Sequence, residues 1–214
     1  MRLLIFGATG NTGQCFVRQA LDRGHDVTAF VRDPAGLGIS HERLNTVTGN
    51  ILDATSVDAA VADSFDAVIS ALGIFHREDK TDLSEGTRNV IAAMDKHGCR
   101  RLLVVSSLGA GDSAGQGNLL ARGLQRFLLN YVLIDKTRQE ALIEASALDY
   151  TIARPPQLTD AEAICRDVVV WQGPAPTDRK LSWKTSRATV ANFLLDALDE
   201  SSYLKQVVNI SEPR

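Results

Sequence analysis

Cysteine is scarce: three in 214 residues, Cys15, Cys99 and Cys165, with no CxxC pair among them. An odd, widely spaced set excludes a disulfide scaffold and fits free thiols in a reducing compartment. The histidines are His25, His41, His76 and His97, and no two stand at metal-ligand spacing. No zinc or other metal site is expected from them. No apolar run approaches the roughly 18 residues of a membrane span. The short run Met1–Gly7 has neither the length nor the small-residue cleavage site of a signal peptide. The sequence therefore predicts a cytoplasmic protein with no membrane partner. Positive charge is not in excess either: the net charge is −3, too acidic a balance for nucleic acid as the main partner. Hydrophobic residues at 44% and charged residues at 23% are ordinary globular values, so disorder and coiled coil are excluded. A chain of this size buries roughly 70% of its extendable surface and needs no staple.

Short apolar runs alternate with amphipathic stretches. Strands are predicted over 2–6, 26–32, 44–48, 66–72, 101–106, 149–154, 168–171 and 206–210. Helices are predicted over 11–23, 54–63, 83–97 and 188–198, and over 119–145 as one long helix or two. Phe16, Val17, Ala20 and Leu21 fall on one face of the first helix, and Gly24 and Gly98 stand where helices should stop. Thr55, Ser56 and Asp82 are the candidate helix caps. Near-continuous strands such as Leu102–Val105 suit a parallel sheet covered on both faces. The βαβαβ alternation predicts an α/β doubly wound parallel sheet, a three-layer αβα Rossmann fold. No repeat or linker divides residues 1–214, so one domain is expected, with loops of the C-terminal half building an acceptor site.

Gly7-Ala8-Thr9-Gly10-Asn11-Thr12-Gly13 follows the first strand and opens the first helix. In that context, Gly7 permits the tight turn and Gly10 lets a pyrophosphate approach the backbone. Gly13 lets the helix pack against the sheet. The helix N-terminus then offers its N–H groups to phosphate. The spacing is GxxGxxG. The second strand ends in Arg32, where NAD-binding proteins carry an acid for the ribose 2′-hydroxyl. A guanidinium there suits a 2′-phosphate, so NADP(H) is the expected cofactor. Asp33 precedes Pro34 and reads as a turn residue.

GATGNTG at the first turn, VRDP after the second strand, Gly49-Asn50, SEGTRNVIAAMDKHG and DYTIARPP together resemble the atypical short-chain dehydrogenase/reductases. Within them the chain is most similar to the biliverdin reductase B and NADPH–flavin reductase branch, with NmrA-like proteins nearby. The likeness runs from Met1 to about Asp160. It implies that Thr9, Gly10, Asn11 and Thr12 line the pyrophosphate and that Arg32 binds the 2′-phosphate. It also puts Asn50 and Ile51, where the family often has Asp-Val, beside the adenine. Ala71, Leu72 and Gly73 would lie by the nicotinamide-side ribose, and Ser106 and Ser107 near the nicotinamide. Pro155, Pro156 and Gln157 would shape the carboxamide pocket. The flavin reductase carries His after its double proline, where this chain has Gln157.

Tyrosine is scarce too. Short-chain dehydrogenases protonate a carbonyl with Tyr in a Tyr-x-x-x-Lys pair, and only three tyrosines are available. Tyr131, Tyr150 and Tyr203 are followed four residues on by Asp135, Arg154 and Val207. Lys136 stands five after Tyr131, roughly 140° around a helix. Without that acid–base unit, ketone reduction lacks a term of about 10²–10⁴. Hydride transfer to a flavin or a conjugated tetrapyrrole such as biliverdin delocalises the incoming charge and does not need it. The expected activity is thus an NADPH-dependent reductase of such an acceptor, acting as monomer or homodimer. Ser107 is a candidate catalytic residue with a positioning role. A non-catalytic NADP(H) sensor with protein partners is the alternative, and a sugar-nucleotide epimerase or dehydratase the second. Lys136 reads as a solvated helix charge, although it resembles the family lysine before the AE..L segment. His76 reads as a surface loop residue. The apolar run from Leu119 to Ile134 reads as core.

Overall fold

The computed structural model describes residues 1–74, 78–117, 122, 123, 125 and 129–214. His76, Leu119, Leu120, Leu124, Phe127 and Leu128, on which readings were made above, lie outside that set. The first half runs β1 (Arg2–Phe6), α1 (Asn11–Asp22), β2 (Asp26–Val31), β3 (Leu44–Thr48), α2 (Ala54–Val61), β4 (Ala67–Ser70), α3 (Asp82–His97) and β5 (Arg101–Val105). The second runs α4 (Asn130–Glu144), β6 (Asp149–Arg154), β7 (Gln157–Thr159), β8 (Val169–Trp171), β9 (Lys184–Ser186), α5 (Arg187–Asp196) and β10 (Gln206–Ser211).

Eight strands form one sheet in the order β3-β2-β1-β4-β5-β6-β10-β8. Every pairing in it is parallel except β8 against β10. Successive residues of β1 point to opposite layers. Leu3 and Ile5 pack with Phe16 and Val17 of α1 and with Leu194 of α5. Leu4 and Phe6 pack with Val57 of α2, Met94 of α3 and Ile143 of α4. This two-sided burial is why the strands read as unbroken apolar runs. Each large side chain so buried contributes about 1.5–3 kcal/mol.

The chain order reverses between β1 and β4, where Phe6 pairs with Ser70. That reversal opens a crevice beyond the carboxyl ends of the strands, the usual ligand position of an open α/β sheet. β7 and β9 form a separate parallel pair that the sequence reading omitted. The caps also differ from expectation. Asp53, not Thr55 or Ser56, caps α2, its carboxylate accepting from Thr55 N at 3.0 Å. Asp82 is the first residue of α3 and not its cap. The carboxylate of Asp135, from α4, accepts from Leu83 N at 2.9 Å and Ser84 N at 3.2 Å. A buried acid thus serves the N-terminal N–H groups of α3. Among the described residues, no helix is long and apolar enough to cross a membrane.

Candidate nucleotide-binding site

The β1–α1 turn is shaped by its glycines. Gly7 has φ +79°, a conformation that a side chain disfavours, and Gly10 N donates to Gly7 O at 3.0 Å. A Cβ on Gly13 would collide with the same carbonyl, so helix and turn touch through backbone alone. At Gly10 a Cβ would meet only Gly7 O, at 3.3 Å. Gly10 is the N-cap of α1, which has no side-chain cap and no acid in its first turn. The helix N-terminus is left to an anion from outside, the fit expected for a pyrophosphate.

A cavity of about 450 Å³ opens at this turn. It brings together Gly7, Thr9, Gly10, Arg32, Asn50, Ile51, Ala71, Leu72 and Gly73 from the residues singled out in the sequence. Asn11, Thr12, Gly13, Ser106, Pro155, Pro156 and Gln157 do not border it. The sequence reading missed Phe6, Phe30, Gly49 and Asp82, which do. Phe6 and Phe30 meet at a tilt of 50°, 4.9 Å between centroids, and the Phe30 ring occupies the space a side chain on Gly49 would need. Arg32 is exposed at the end of β2. Asp33 turns away to cap a short 3₁₀ turn, accepting from Ala35 N at 3.0 Å, as its place before proline implied.

Beyond the end of β5 lies a buried polar layer. Ser106 N donates to Ala153 O at 2.8 Å, and Leu108 N to Pro155 O at 2.8 Å, so the two strand ends advance side by side. The hydroxyl of Ser106 donates to Oε1 of Glu140, which also accepts from Nε of Arg154 at 3.0 Å. Arg154 reaches Oε2 through Nη2 at 2.7 Å and the exposed Asp112 through Nη1. Ser107 is half-buried, and its hydroxyl makes one long contact, 3.4 Å to Leu108 O. Pro155 is buried, and Gln157 is exposed in β7.

Lys136 corrects the sequence reading. It is buried rather than solvated, and its Nζ donates to Val105 O, the last carbonyl of β5, at 3.1 Å. Burial pushes its pKa down to about 8, while the carboxylates of Glu140 and Asp135 pull the other way. No tyrosine completes an acid–base pair with it. Tyr131 is 40% exposed at the start of α4. Tyr203 packs on Phe193 in the opposite layer. Tyr150 pairs with Leu102, three residues before Val105, or roughly 10 Å along the strand.

A second cavity, of about 750 Å³, lies along the other side of α4, against the loop after β5. Gly109, Ala114, Leu133 and Ile134 line it, with Arg122 and Arg138. Arg138 is held by both oxygens of Asp79, at 2.6 and 3.2 Å. Among the described residues, no group of three His, Cys, Asp or Glu side chains could hold a metal ion.

A Rossmann sheet, a glycine turn at its switch point and a cleft reaching the end of β2 define a dinucleotide-binding protein. Residues 7–201 match the NAD(P)H-binding family, and the chain belongs to it. An uncharacterised chloroplastic protein of Arabidopsis thaliana is 32% identical over 94% of this chain and 74% of its own length. The structure is similar to that of ChuY, an anaerobillin reductase from Escherichia coli O157:H7, with a TM-score of 0.81 and 26% identity. That match covers 100% of this chain and 98% of the other. A short-chain dehydrogenase/reductase from Veillonella parvula, in complex with NADP, shares the fold at a TM-score of 0.80 and 19% identity. It covers 99% of this chain and 94% of the other.

Proposed function

We propose that this chain is an NADPH-dependent reductase that delivers hydride to a flavin or a related conjugated acceptor, such as a biliverdin-type tetrapyrrole. The observation that carries the reading is Lys136, turned inward onto Val105 O with no tyrosine hydroxyl in its company. A localised alkoxide would find no placed proton donor there, so an acceptor that spreads its charge is the better match. Arg32, exposed at the border of the cleft, favours the 2′-phosphate of NADPH. The glycine turn holds the pyrophosphate, and Asn50 and Ile51 flank the adenine. Ala71, Leu72 and Gly73 lead toward the ends of β5 and β6, where Ser107, Pro155, Pro156 and Gln157 surround the nicotinamide. When bound, the dihydronicotinamide supplies the hydride.

The residues of this chain orient and desolvate. The Glu140 carboxylate accepts the one hydrogen bond that the Ser106 hydroxyl can donate, so that hydroxyl anchors the strand end and has no donor left for another group. The Ser107 hydroxyl, with only its long contact, remains to position cofactor or acceptor. The apolar lining of the larger cavity, with Arg122 at its border, suits a flat acceptor bearing a carboxylate or phosphate. The likeness to an anaerobillin reductase supports the same class of acceptor.

Stopped-flow oxidation of NADPH tests the reading, with FMN, riboflavin or biliverdin added and the rate compared with that lacking enzyme. Saturable acceleration by at least one of them is expected. Tight NADPH binding with no acceleration by any acceptor would leave a nucleotide sensor in its place.

A further inference from the structure

Inside α3, the residue that backs Ile51 has no side chain. Gly86 is buried and does not border the cleft, yet its neighbour Ile51 does. A Cβ at position 86 would stand 2.6 Å from Cγ1 of Ile51, 3.0 Å from Cγ2 and 3.4 Å from Cβ. One turn along, Nδ2 of Asn89 donates to the carbonyl of Ile51 at 2.9 Å. The helix therefore grips Ile51 by its main chain and receives its side chain in a notch. No positive φ calls for glycine at position 86. Glycine also weakens a helix interior, so its use here is the room it leaves.

We propose that Gly86 is a positioning residue of the nucleotide site: by receiving the side chain of Ile51, it sets the width of the cleft on the adenine side. This rests on the reading that the cleft holds NADPH with its adenine beside Asn50 and Ile51. A contact under 3.0 Å forces one partner to move. Ile51 is β-branched and stiff at χ1, and Asn89 fixes its carbonyl. Its open direction is the cleft. A methyl group on residue 86 thus narrows the adenine slot and leaves the nicotinamide end, reached through Ala71–Gly73, as it was.

Calorimetric titration with adenosine 2′,5′-bisphosphate, the adenine half, and with reduced nicotinamide mononucleotide, the other half, tests this. In Gly86→Ala, the bisphosphate and NADPH should each bind about tenfold more weakly. The mononucleotide should bind as in wild type. The Tm should stay within about 5 °C, because the better helix former offsets the crowding. Ile51→Ala removes both Cγ atoms and leaves only an ordinary contact, so Gly86→Ala should have no further effect in that background. Should Gly86→Ala not fold, Asn89→Ala loosens the same grip without added bulk. It should weaken the bisphosphate about fivefold and leave the mononucleotide unchanged. Wild-type affinity for the bisphosphate in folded Gly86→Ala would overturn the proposal, as would an equal loss with and without the Ile51 side chain, or an equal loss of both halves in Asn89→Ala. A wild-type protein that binds neither NADPH nor the bisphosphate would instead remove the nucleotide reading beneath it.

Discussion

Nε and Nη2 of Arg154 grip the two carboxylate oxygens of Glu140 at 3.0 and 2.7 Å, joining the last residue of β6 to the middle of α4. Their side chains are 5% and 2% exposed, so the pair is out of water. A buried pair is weak evidence of net stability, but breaking one leaves an uncompensated charge. Asp112, 75% exposed, cannot replace what Glu140 gives. Glu140→Ala should therefore lose about 3–5 kcal/mol in urea unfolding, and the apolar pair Glu140→Leu/Arg154→Met should recover most of it. A loss below about 1 kcal/mol in Glu140→Ala would mean that water reaches the guanidinium and replaces the carboxylate.

Lys136 gives a pH dependence of definite sign. Its pKa falls from 10.5 to about 8 on folding. Between those values the unfolded chain holds a proton that the native chain has released. Stability from this group thus rises with pH across that window, and below it the native state bears the full cost of a buried cation, at most about 3 kcal/mol. Lys136→Met should be more stable than wild type at about pH 7, and its advantage should shrink by about pH 10. Cys99, pushed up to about 11 by burial, acts in the opposite direction but equally in both proteins. Urea unfolding of the two proteins at both pH values measures the difference. A difference that does not change with pH would mean Lys136 ionises as it does in water.

Much of this was legible in the sequence because local rules and tertiary structure agree. The periodic face of α1, its glycine stop and the left-handed Gly98 after α3 need no partner to be recognised. α4 was not legible. Its buried residues include Asp135, Lys136, Gln139 and Glu140, so the inward face carries polar side chains and apolar periodicity cannot mark it. Their partners, Leu83 N, Val105 O, Thr87 and Arg154, lie between 14 and 52 residues away in sequence. A charged residue that ends an apolar strand, as Arg154 does, is the one local hint of a buried partner. The cleft wall at Asn50 and Ile51 was half legible: both residues were named from resemblance and do border the cavity, but the glycine that seats Ile51 lies 35 residues further on, inside a helix, where propensity alone argues against it.

The glycine turn should separate binding from folding. A branched side chain on Gly10 meets little protein and projects where a pyrophosphate would lie. One on Gly13 strikes the carbonyl of Gly7. Gly10→Val should lose NADPH binding by calorimetry while circular dichroism and Tm stay close to wild type. Gly13→Ala should lower Tm as well. Undiminished NADPH binding by Gly10→Val would take the turn out of the cofactor site.

Arg32 should set coenzyme preference. A hydrogen bond to a charged group is worth about 1.5–3 kcal/mol, so Arg32→Ala should weaken NADPH by roughly 10–150-fold. NADH has no 2′-phosphate and should change little. Asp33 does not compensate, since its carboxylate is engaged by Ala35 N. Equal losses for both coenzymes would make Arg32 a structural residue.

Hydride transfer should proceed without a tyrosine acid. Tyr131 is the tyrosine nearest Lys136 in sequence, yet it is exposed at the start of α4 while Lys136 points into the core. The five-residue spacing puts them on different faces, and the helix runs unbroken from Asn130 to Glu144. Tyr131→Phe removes the hydroxyl and keeps the ring. It should leave kcat for flavin reduction within about threefold of wild type, because no acid–base term of 10²–10⁴ is deleted. Simple ketones should be poor substrates for both proteins, since an alkoxide would form with no proton at hand. Steady-state kinetics with FMN and with a small ketone decide the matter. A hundredfold fall in kcat in a folded Tyr131→Phe protein, or rapid NADPH-dependent ketone reduction by wild type, would show that a phenol reaches the reacting atoms after all and that the acceptor need not be conjugated.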